Sequence, residues 1–150
     1  MKQLSDAGLA AELKQRLQRL QSTSQRQWGK MTAAQAVAHC AVGMEMALGD
    51  IVLPRLLIGR LIGRMVKPLA LGNEKPMQRN SPTAPALIIA DDRDLDAERR
   101  RLSVLVDRFA AAGRAGYTTH PHPFFGPLTP DEWAILMYKH LDHHLRQFGV

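Results

Sequence analysis

The sequence predicts an all-α protein, a four-helix bundle with one long crossover and one extra short helix. Two observations support this prediction. Apolar residues recur at three- and four-residue spacing in several segments, which is the period of an amphipathic α-helix. In addition, Thr32 and Thr129 are each followed three residues later by glutamine or glutamate, the capping-box pattern of a helix start. A chain of 150 residues is expected to form one domain, over 1–150.

The first half of the chain contains the signals for three helices. The first helix is expected from a cap at Ser5 to about Gln21, and the second starts after Thr32. A third helix is predicted over 54–67, because proline suits a first helical turn and the proline at 68 discourages continuation. Alternatively, the second helix continues across a kink near Gly49.

The second half begins with an irregular crossover over 72–85, followed by a short extended piece over 86–90. The next helix is predicted over 92–112. Its expected apolar positions are Leu95, Leu102, Val104, Leu105 and Phe109. The final helix follows the cap at Thr129. Its inward arc is expected to contain Trp133, Leu136, Met137, His140, His144 and Gln147.

Composition and charge narrow the class of protein. With 45% hydrophobic and 23% charged residues, the sequence is typical of an ordinary soluble globular protein. One cysteine, Cys40, excludes an intrachain disulfide, and together with the absence of a signal peptide this predicts a cytoplasmic location. No segment is suited to span a membrane. The net charge of +6 is scattered along the chain, which disfavours a nucleic-acid-binding face.

Three histidines form the main candidate site. His140 and His144 are four residues apart, so on a helix both imidazoles emerge from one face. His39 lies on the second predicted helix, and in a bundle it can face the pair. Three neutral imidazoles could bind a divalent cation and leave positions for water or substrate. The alternative is that these are partly exposed histidines with ordinary hydrogen bonds.

The residues around these histidines resemble the DinB-like (DinB/YfiT) superfamily. The matching motifs are Trp28-Gly29-Lys30-Met31-Thr32, Ala38-His39-Cys40-Ala41, His122-Pro123-Phe124-Phe125-Gly126, Leu128-Thr129-Pro130-Asp131-Glu132-Trp133 and the final His-x-x-x-His. They are most similar to a branch described as a domain of unknown function. The resemblance implies a four-helix bundle that binds zinc or nickel, with manganese or iron as alternatives, through His39, His140 and His144. It also implies one of two activities. The protein would be a transferase with a small-molecule substrate, such as a low-molecular-weight thiol, or it would be a metal-dependent hydrolase.

Other residues near these motifs have a structural and a functional interpretation. His143 could replace His144 as a ligand, although a supporting or surface position is favoured. His120 and His122 lie in a proline-containing loop, where packing is favoured over a role in acid–base catalysis. Cys40 is expected to be a buried, inert thiol rather than a nucleophile. Glu45 and Asp142 could orient histidines, with solvated positions as the alternative. Trp28 and Trp133 are expected in the core.

A stripe of basic residues, Arg60, Arg64 and Lys67, lies opposite Leu57, Leu61 and Met65 on the third predicted helix. This amphipathic pattern is typical of a helix that covers a core or a dimer interface, and it could also meet an anionic membrane. The sequence therefore leaves three functions open. One is a metalloprotein, whose catalytic status is undecided. Another is a non-enzymatic binding module or homodimer that retains the bundle. The third is a basic protein that associates with a membrane or with nucleic acid.

Overall fold

Five α-helices and two short 3-10 turns make up the structure, and no β-strand is present. The computed structural model describes residues 1–150. The helices are α1 (Ala7–Arg19), α2 (Ala33–Leu48), α3 (Leu57–Leu71), α4 (Leu95–Ala112) and α5 (Pro130–Gln147). The 3-10 turns are Pro85–Leu87 and Arg114–Gly116. The all-α prediction is confirmed.

Side-chain caps fix where four of the helices begin. Thr32 and Thr129 each accept a hydrogen bond from the backbone N–H three residues on, and the glutamine or glutamate there binds the cap N–H in return. Both predicted capping boxes are therefore confirmed, and such caps typically contribute about 1 kcal/mol each. The first helix is capped by Asp6 and not by Ser5, and α4 starts later than predicted because Asp94 caps it.

Helices α1, α2, α4 and α5 pack against one another around a common apolar core. Fully buried side chains from each of them meet there, among them Leu13, Leu17, Met44, Leu102, Phe109, Trp133 and Leu141. Trp133 thus lies in the core as expected. Val104 does not, because it is 65% exposed, and Val106 points inward in its place. This core brings the middle of α2 alongside the second half of α5.

Helix α3 lies beside these four helices and differs from the prediction at both ends. It starts at Leu57 rather than Pro54 and continues through Pro68 to Leu71. Pro68 is exposed, so the carbonyl that loses its backbone donor lies on the outer side of the helix. Helix α2 ends at Leu48 with Gly49 in the left-handed region, so it does not continue into α3. None of the helices is long and apolar enough to cross a membrane.

The segment between α3 and α4 is irregular, as predicted, except near its end. The residues expected to be extended, 86–90, begin within the 3-10 turn Pro85–Leu87. Leu87 is buried and its turn packs against α2, while Ile88 beside it is exposed. This turn places a backbone carbonyl next to His39.

Candidate metal centre

The structure brings His39 of α2 together with His140 and His144 of α5. One nitrogen from each ring can be chosen so that all three lie within 4.8 Å of one another. The ring centroids are 4.8 Å apart for His39 and His140, and 4.9 Å apart for the other two pairs. His39 is 4% exposed, whereas His140 and His144 are partly exposed. The cluster therefore lies at the edge of the core, where solvent reaches it.

A backbone carbonyl sets the tautomer of His39. Its Nδ1 lies 2.7 Å from the carbonyl oxygen of Leu87. Because a carbonyl can only accept, Nδ1 must carry the proton, and the Nε2 of a neutral ring then presents a lone pair. That Nε2 lies 2.8 Å from Nε2 of His140. Without a cation, His140 donates to this lone pair, which is also the lone pair of His39 that could bind a cation.

Gln147 orients His144 in a similar way. The Oε1 of Gln147 lies 2.8 Å from Nδ1 of His144, and its Nε2 donates to the carbonyl of Trp28 at 2.8 Å. Since the Trp28 carbonyl only accepts, the amide orientation is fixed, and Nδ1 of His144 must be the donor. Nε2 of His144 is thereby left free. Gly29 makes room for this amide, because a Cβ there would lie 2.6 Å from Nε2 of Gln147 and the residue has φ of +77°.

His140 fits against a gap in α2 created by Gly43. A Cβ at position 43 would lie 3.3 Å from both Cε1 and Nδ1 of His140, which is tighter than ordinary contact. Glycine thus lets the ring lie directly against the helix that carries His39. The spacing of His39 and Gly43, four residues apart, places both on the same face of α2.

Burial keeps the three imidazoles neutral. It lowers the pKa of His39, against the opposing effect of the Leu87 carbonyl, and it lowers the pKa of His144 to about 3. Burial, followed by repulsion from His39 and His144, holds the pKa of His140 well below its usual value. Since only a neutral imidazole offers a lone pair to a cation, the apo site is in its ligand form at neutral pH.

The remaining histidines are not part of this cluster. The ring centroid of His143 lies 5.3 Å from that of Trp28, and the Arg79 guanidinium lies 4.1 Å from the Trp28 centroid. Trp28 is partly exposed and is not part of the hydrophobic core, contrary to the expectation. His120 is exposed in the loop before α5.

His122 has a structural role, as the packing interpretation predicts. Its Nδ1 accepts hydrogen bonds from the backbone N–H groups of Phe124 and Phe125, at 3.1 and 3.2 Å. The ring packs on Phe125 and Trp133, with centroids 4.9 and 5.7 Å away. Burial lowers the pKa of His122 to about 4, so it remains neutral.

Cys40 and the two acidic residues also have structural explanations. Cys40 is 2% exposed, and burial raises the pKa of its thiol, as expected of an inert cysteine. Glu45 pairs with Arg101 at 2.7 Å, and Asp142 pairs with Arg16 at 2.7 Å. The carboxylates that could have oriented histidines are thus held in ion pairs, and the groups that do orient them are a carbonyl and an amide.

The geometry and chemistry of the cluster suit a small cation. Imidazole ligands at 2.0–2.1 Å from a tetrahedral ion lie about 3.3 Å from one another. The separations here, 2.8 Å between two of the nitrogens and at most 4.8 Å between any pair, lie on either side of that value. Side-chain movements of about an ångström would bring all three nitrogens to this distance from one another. Three neutral nitrogens would leave a fourth position for water or substrate.

Of three comparisons with known proteins, one gave a match. A search of curated proteins and a search of solved structures each gave no match. The matching family model is described as a protein of unknown function, DUF1569, and it covers residues 2–149. The histidine cluster and the helices that build it all lie within this range. The chain therefore belongs to the DUF1569 family of proteins of unknown function.

Proposed function

We propose that this protein is a divalent-metal-binding protein with His39, His140 and His144 as ligands. The convergence of the three rings supports the proposal most directly, since all three can offer a nitrogen within 4.8 Å of the others. The outer nitrogens of His39 and His144 are bound to Leu87 and Gln147, so their Nε2 atoms are the ones available. Hydrogen bonds of this kind on the far ring nitrogen are the usual support of histidine ligands.

The proposal also includes the type of fold and the identity of the metal. A single domain over 1–150 of the DinB-like four-helix-bundle type is supported by the packing of α1, α2, α4 and α5 and by the resemblance of the motifs. Neutral nitrogen ligands favour zinc or nickel, with manganese and iron as alternatives. A bound ion of this kind would supply Lewis acidity, which promotes loss of a proton from a thiol or a water molecule.

We further propose a small-molecule substrate at the open position, with a low-molecular-weight thiol as the first candidate. The support is the resemblance to thiol-dependent relatives and the partial exposure of His140 and His144. In this scheme His39 is the most buried ligand, and the other two are partly exposed to solvent. His122 does not serve as acceptor of the thiol or water proton in this scheme, because its Nδ1 already accepts two backbone hydrogen bonds.

The experiment that tests metal binding is elemental analysis of protein purified without a nickel column and then incubated with zinc or nickel. We expect about one equivalent per chain, and about a tenth or less in His39→Ala, His140→Ala and His144→Ala. His120→Ala is the matched control, because that exposed histidine lies outside the cluster. Less than about a tenth of an equivalent in the wild type would contradict the proposal.

The thiol proposal has its own measurement. Titration of a small thiol into the nickel- or cobalt-loaded protein should produce a thiolate-to-metal charge-transfer band in the near ultraviolet. Cys40 does not interfere, because it is buried and its thiol has a raised pKa. Metal binding without such a band, for each thiol tried, would leave the metal proposal standing and exclude these thiols as ligands.

A second role, as an interaction protein, is supported by a different feature. Helix α3 exposes several large apolar side chains that nothing in the chain covers. This feature is independent of the histidines, so the two roles are compatible.

A further inference from the structure

Helix α3 presents its apolar side to the outside. Leu61 is 81% exposed and Leu57 is 78% exposed, which is unusual for leucines in a helix packed on a core. We call the exposed set the apolar face of α3. It consists of Leu57, Ile58, Leu61, Met65 and Leu69. Contiguous apolar surface of this kind marks a contact site in a folded protein.

The inner side of α3 explains why the apolar side faces outward. Gly59 and Gly63 pack directly on the backbone at Phe124, and a Cβ at position 59 would lie 2.5 Å from the Phe124 carbonyl oxygen. Turning the helix to bury its leucines would force large side chains into this close backbone contact. The orientation of α3 is therefore fixed by glycine packing.

Two of the basic residues hold α3 in this orientation. Arg55, just before α3, donates to the carbonyls of Pro123 and Gly59, at 3.3 and 3.2 Å. Lys67 forms an ion pair with Glu132 of α5 at 2.9 Å. These bonds act on the side of α3 that faces the protein, so they stabilise the outward position of the apolar face.

The charges that remain on α3 are all positive. Residues 51–73 contain four basic residues and no aspartate or glutamate. The side chains of Arg55 and Lys67 bond to the protein, whereas those of Arg60 and Arg64 are exposed and make no hydrogen bond or ion pair. On a helical projection both arginines lie along one edge of the apolar face, next to Leu57 and Leu61, so the expectation that they lie opposite these leucines is wrong. This edge favours an anionic partner.

We propose that α3 binds the surface of an anionic lipid membrane, with its apolar face in the interface and Arg60 and Arg64 at the headgroups. An apolar face bordered by unpaired basic residues is the pattern of helices that lie in the membrane interface. Long arginine side chains can bury their stems along the lipid and keep the guanidinium at the phosphate level. No residue of the histidine cluster is needed for this contact.

A second copy of this chain fits the charges less well. A two-fold antiparallel pairing through Leu61 would place Arg60 and Arg64 of both copies along the same side. Helix α3 has no acidic residue to pair with them. An anionic lipid surface supplies the missing negative charge, and a second α3 does not.

Vesicle sedimentation tests the proposal. We expect the wild type to sediment with vesicles of phosphatidylglycerol and phosphatidylcholine, and to remain in the supernatant with phosphatidylcholine alone. Leu61→Glu should abolish sedimentation, because it puts a carboxylate at the centre of the apolar face. Val104→Glu is the matched control, since Val104 is an exposed apolar residue on α4. Both positions are exposed, so both variants should keep the wild-type melting temperature.

Charge removal gives a second, quantitative test. A basic residue near an anionic surface contributes about fivefold to partitioning, so Arg60→Gln with Arg64→Gln should weaken binding about twenty-five-fold. The wild type should also lose binding as salt is raised, because the Debye length shortens. Arg100→Gln with Arg114→Gln, at two exposed arginines outside α3, is the control for net charge.

A labelled cysteine locates the contact. The only cysteine, Cys40, is buried, so a cysteine introduced by Leu61→Cys can be labelled selectively in the native protein. An environment-sensitive fluorophore there should shift to the blue on addition of anionic vesicles, whereas the same label on Val104→Cys should not.

Three results would overturn the proposal. One is equal sedimentation of the wild type with anionic and neutral vesicles, or with neither. Another is retention of binding by Leu61→Glu. The third is a wild-type dimer in sedimentation equilibrium that becomes a monomer in Leu61→Glu, which would assign the apolar face to a second copy of the chain.

Discussion

Gln147 and His144, three residues apart at the end of α5, are joined by a hydrogen bond of 2.8 Å between Oε1 and Nδ1. The amide is itself fixed by its bond to the Trp28 carbonyl, so the loop before α2 sets the orientation of a side chain on α5. Gln147 is 2% exposed, and water does not compete for these bonds. The position of His144 therefore depends on a residue outside the three-histidine cluster.

Gln147→Leu should weaken metal binding while the helices remain folded. Leucine fills similar space but neither accepts from His144 nor donates to Trp28, so the imidazole loses its fixed tautomer. We expect the dissociation constant for zinc to rise about 10- to 100-fold, as for other losses of a histidine's supporting hydrogen bond. Competition with a chelator measures this, with Gln18→Leu on the exposed side of α1 as the control. Equal affinity in both variants would mean that the bond has no part in metal binding.

Gly43→Ala should separate metal affinity from helix stability. Alanine favours the helix interior by about 0.8–1.0 kcal/mol over glycine, so the free energy of unfolding of the apo protein should not fall far. The new methyl group, 3.3 Å from two ring atoms of His140, must displace that ring. We expect about tenfold weaker zinc binding, the lower end of the range for disturbed ligand support. Val42→Ala, one position away on α2, is the control, and an unchanged zinc affinity would show that His140 need not lie where it does.

The apo protein should lose stability as the pH falls from about 6.5 towards 5. Burial lowers the pKa values of His39, His140 and His144 in the folded state, and that of His122 to about 4. In this window the unfolded chain takes up protons that the folded chain does not, so the unfolded state is favoured. Each such imidazole can change the free energy of unfolding by at most about 1.4 kcal/mol per pH unit.

Urea unfolding after chelation, at pH 7.5, 6 and 5, measures this dependence. Above the unfolded pKa the curve should be flat with respect to these groups, because histidine is neutral in both states. If the cluster binds zinc as proposed, saturating zinc should raise the stability at pH 7.5, since a cation held by the folded arrangement favours the folded state. A stability that is constant between pH 7.5 and 5 would contradict the burial of these rings.

Side-chain patterns predicted part of the candidate site, and backbone geometry decided the rest. The spacing of His140 and His144 predicted their common face, and the capping box at Thr32 predicted the start of the helix that carries His39. The carbonyl of Leu87 has no side-chain signal, because any residue in that turn would supply one. The role of Gln147 did have a signal, since glutamine three residues after a histidine on a helix lies beside it.

For helix α3, too, the side-chain pattern was predicted from the sequence, whereas the packing of the helix was not. Its periodicity identified an apolar stripe, but periodicity does not tell which side of a helix faces the protein. The stripe was expected to cover a core or an interface, and the packing of Gly59 and Gly63 on Phe124 turns it outward. Pro68 was expected to end the helix, yet it is tolerated because it lies on the exposed side.

His122→Ala should destabilise the protein without changing its metal content. The variant removes the acceptor for the N–H groups of Phe124 and Phe125, and an unsatisfied buried donor costs about 1–3 kcal/mol. His122→Asn should recover part of this loss, because the asparagine oxygen can accept the same local bonds. Chemical denaturation and elemental analysis of the three proteins distinguish structural support from metal ligation. A variant that keeps its stability but loses bound zinc would show that His122 acts at the metal centre instead.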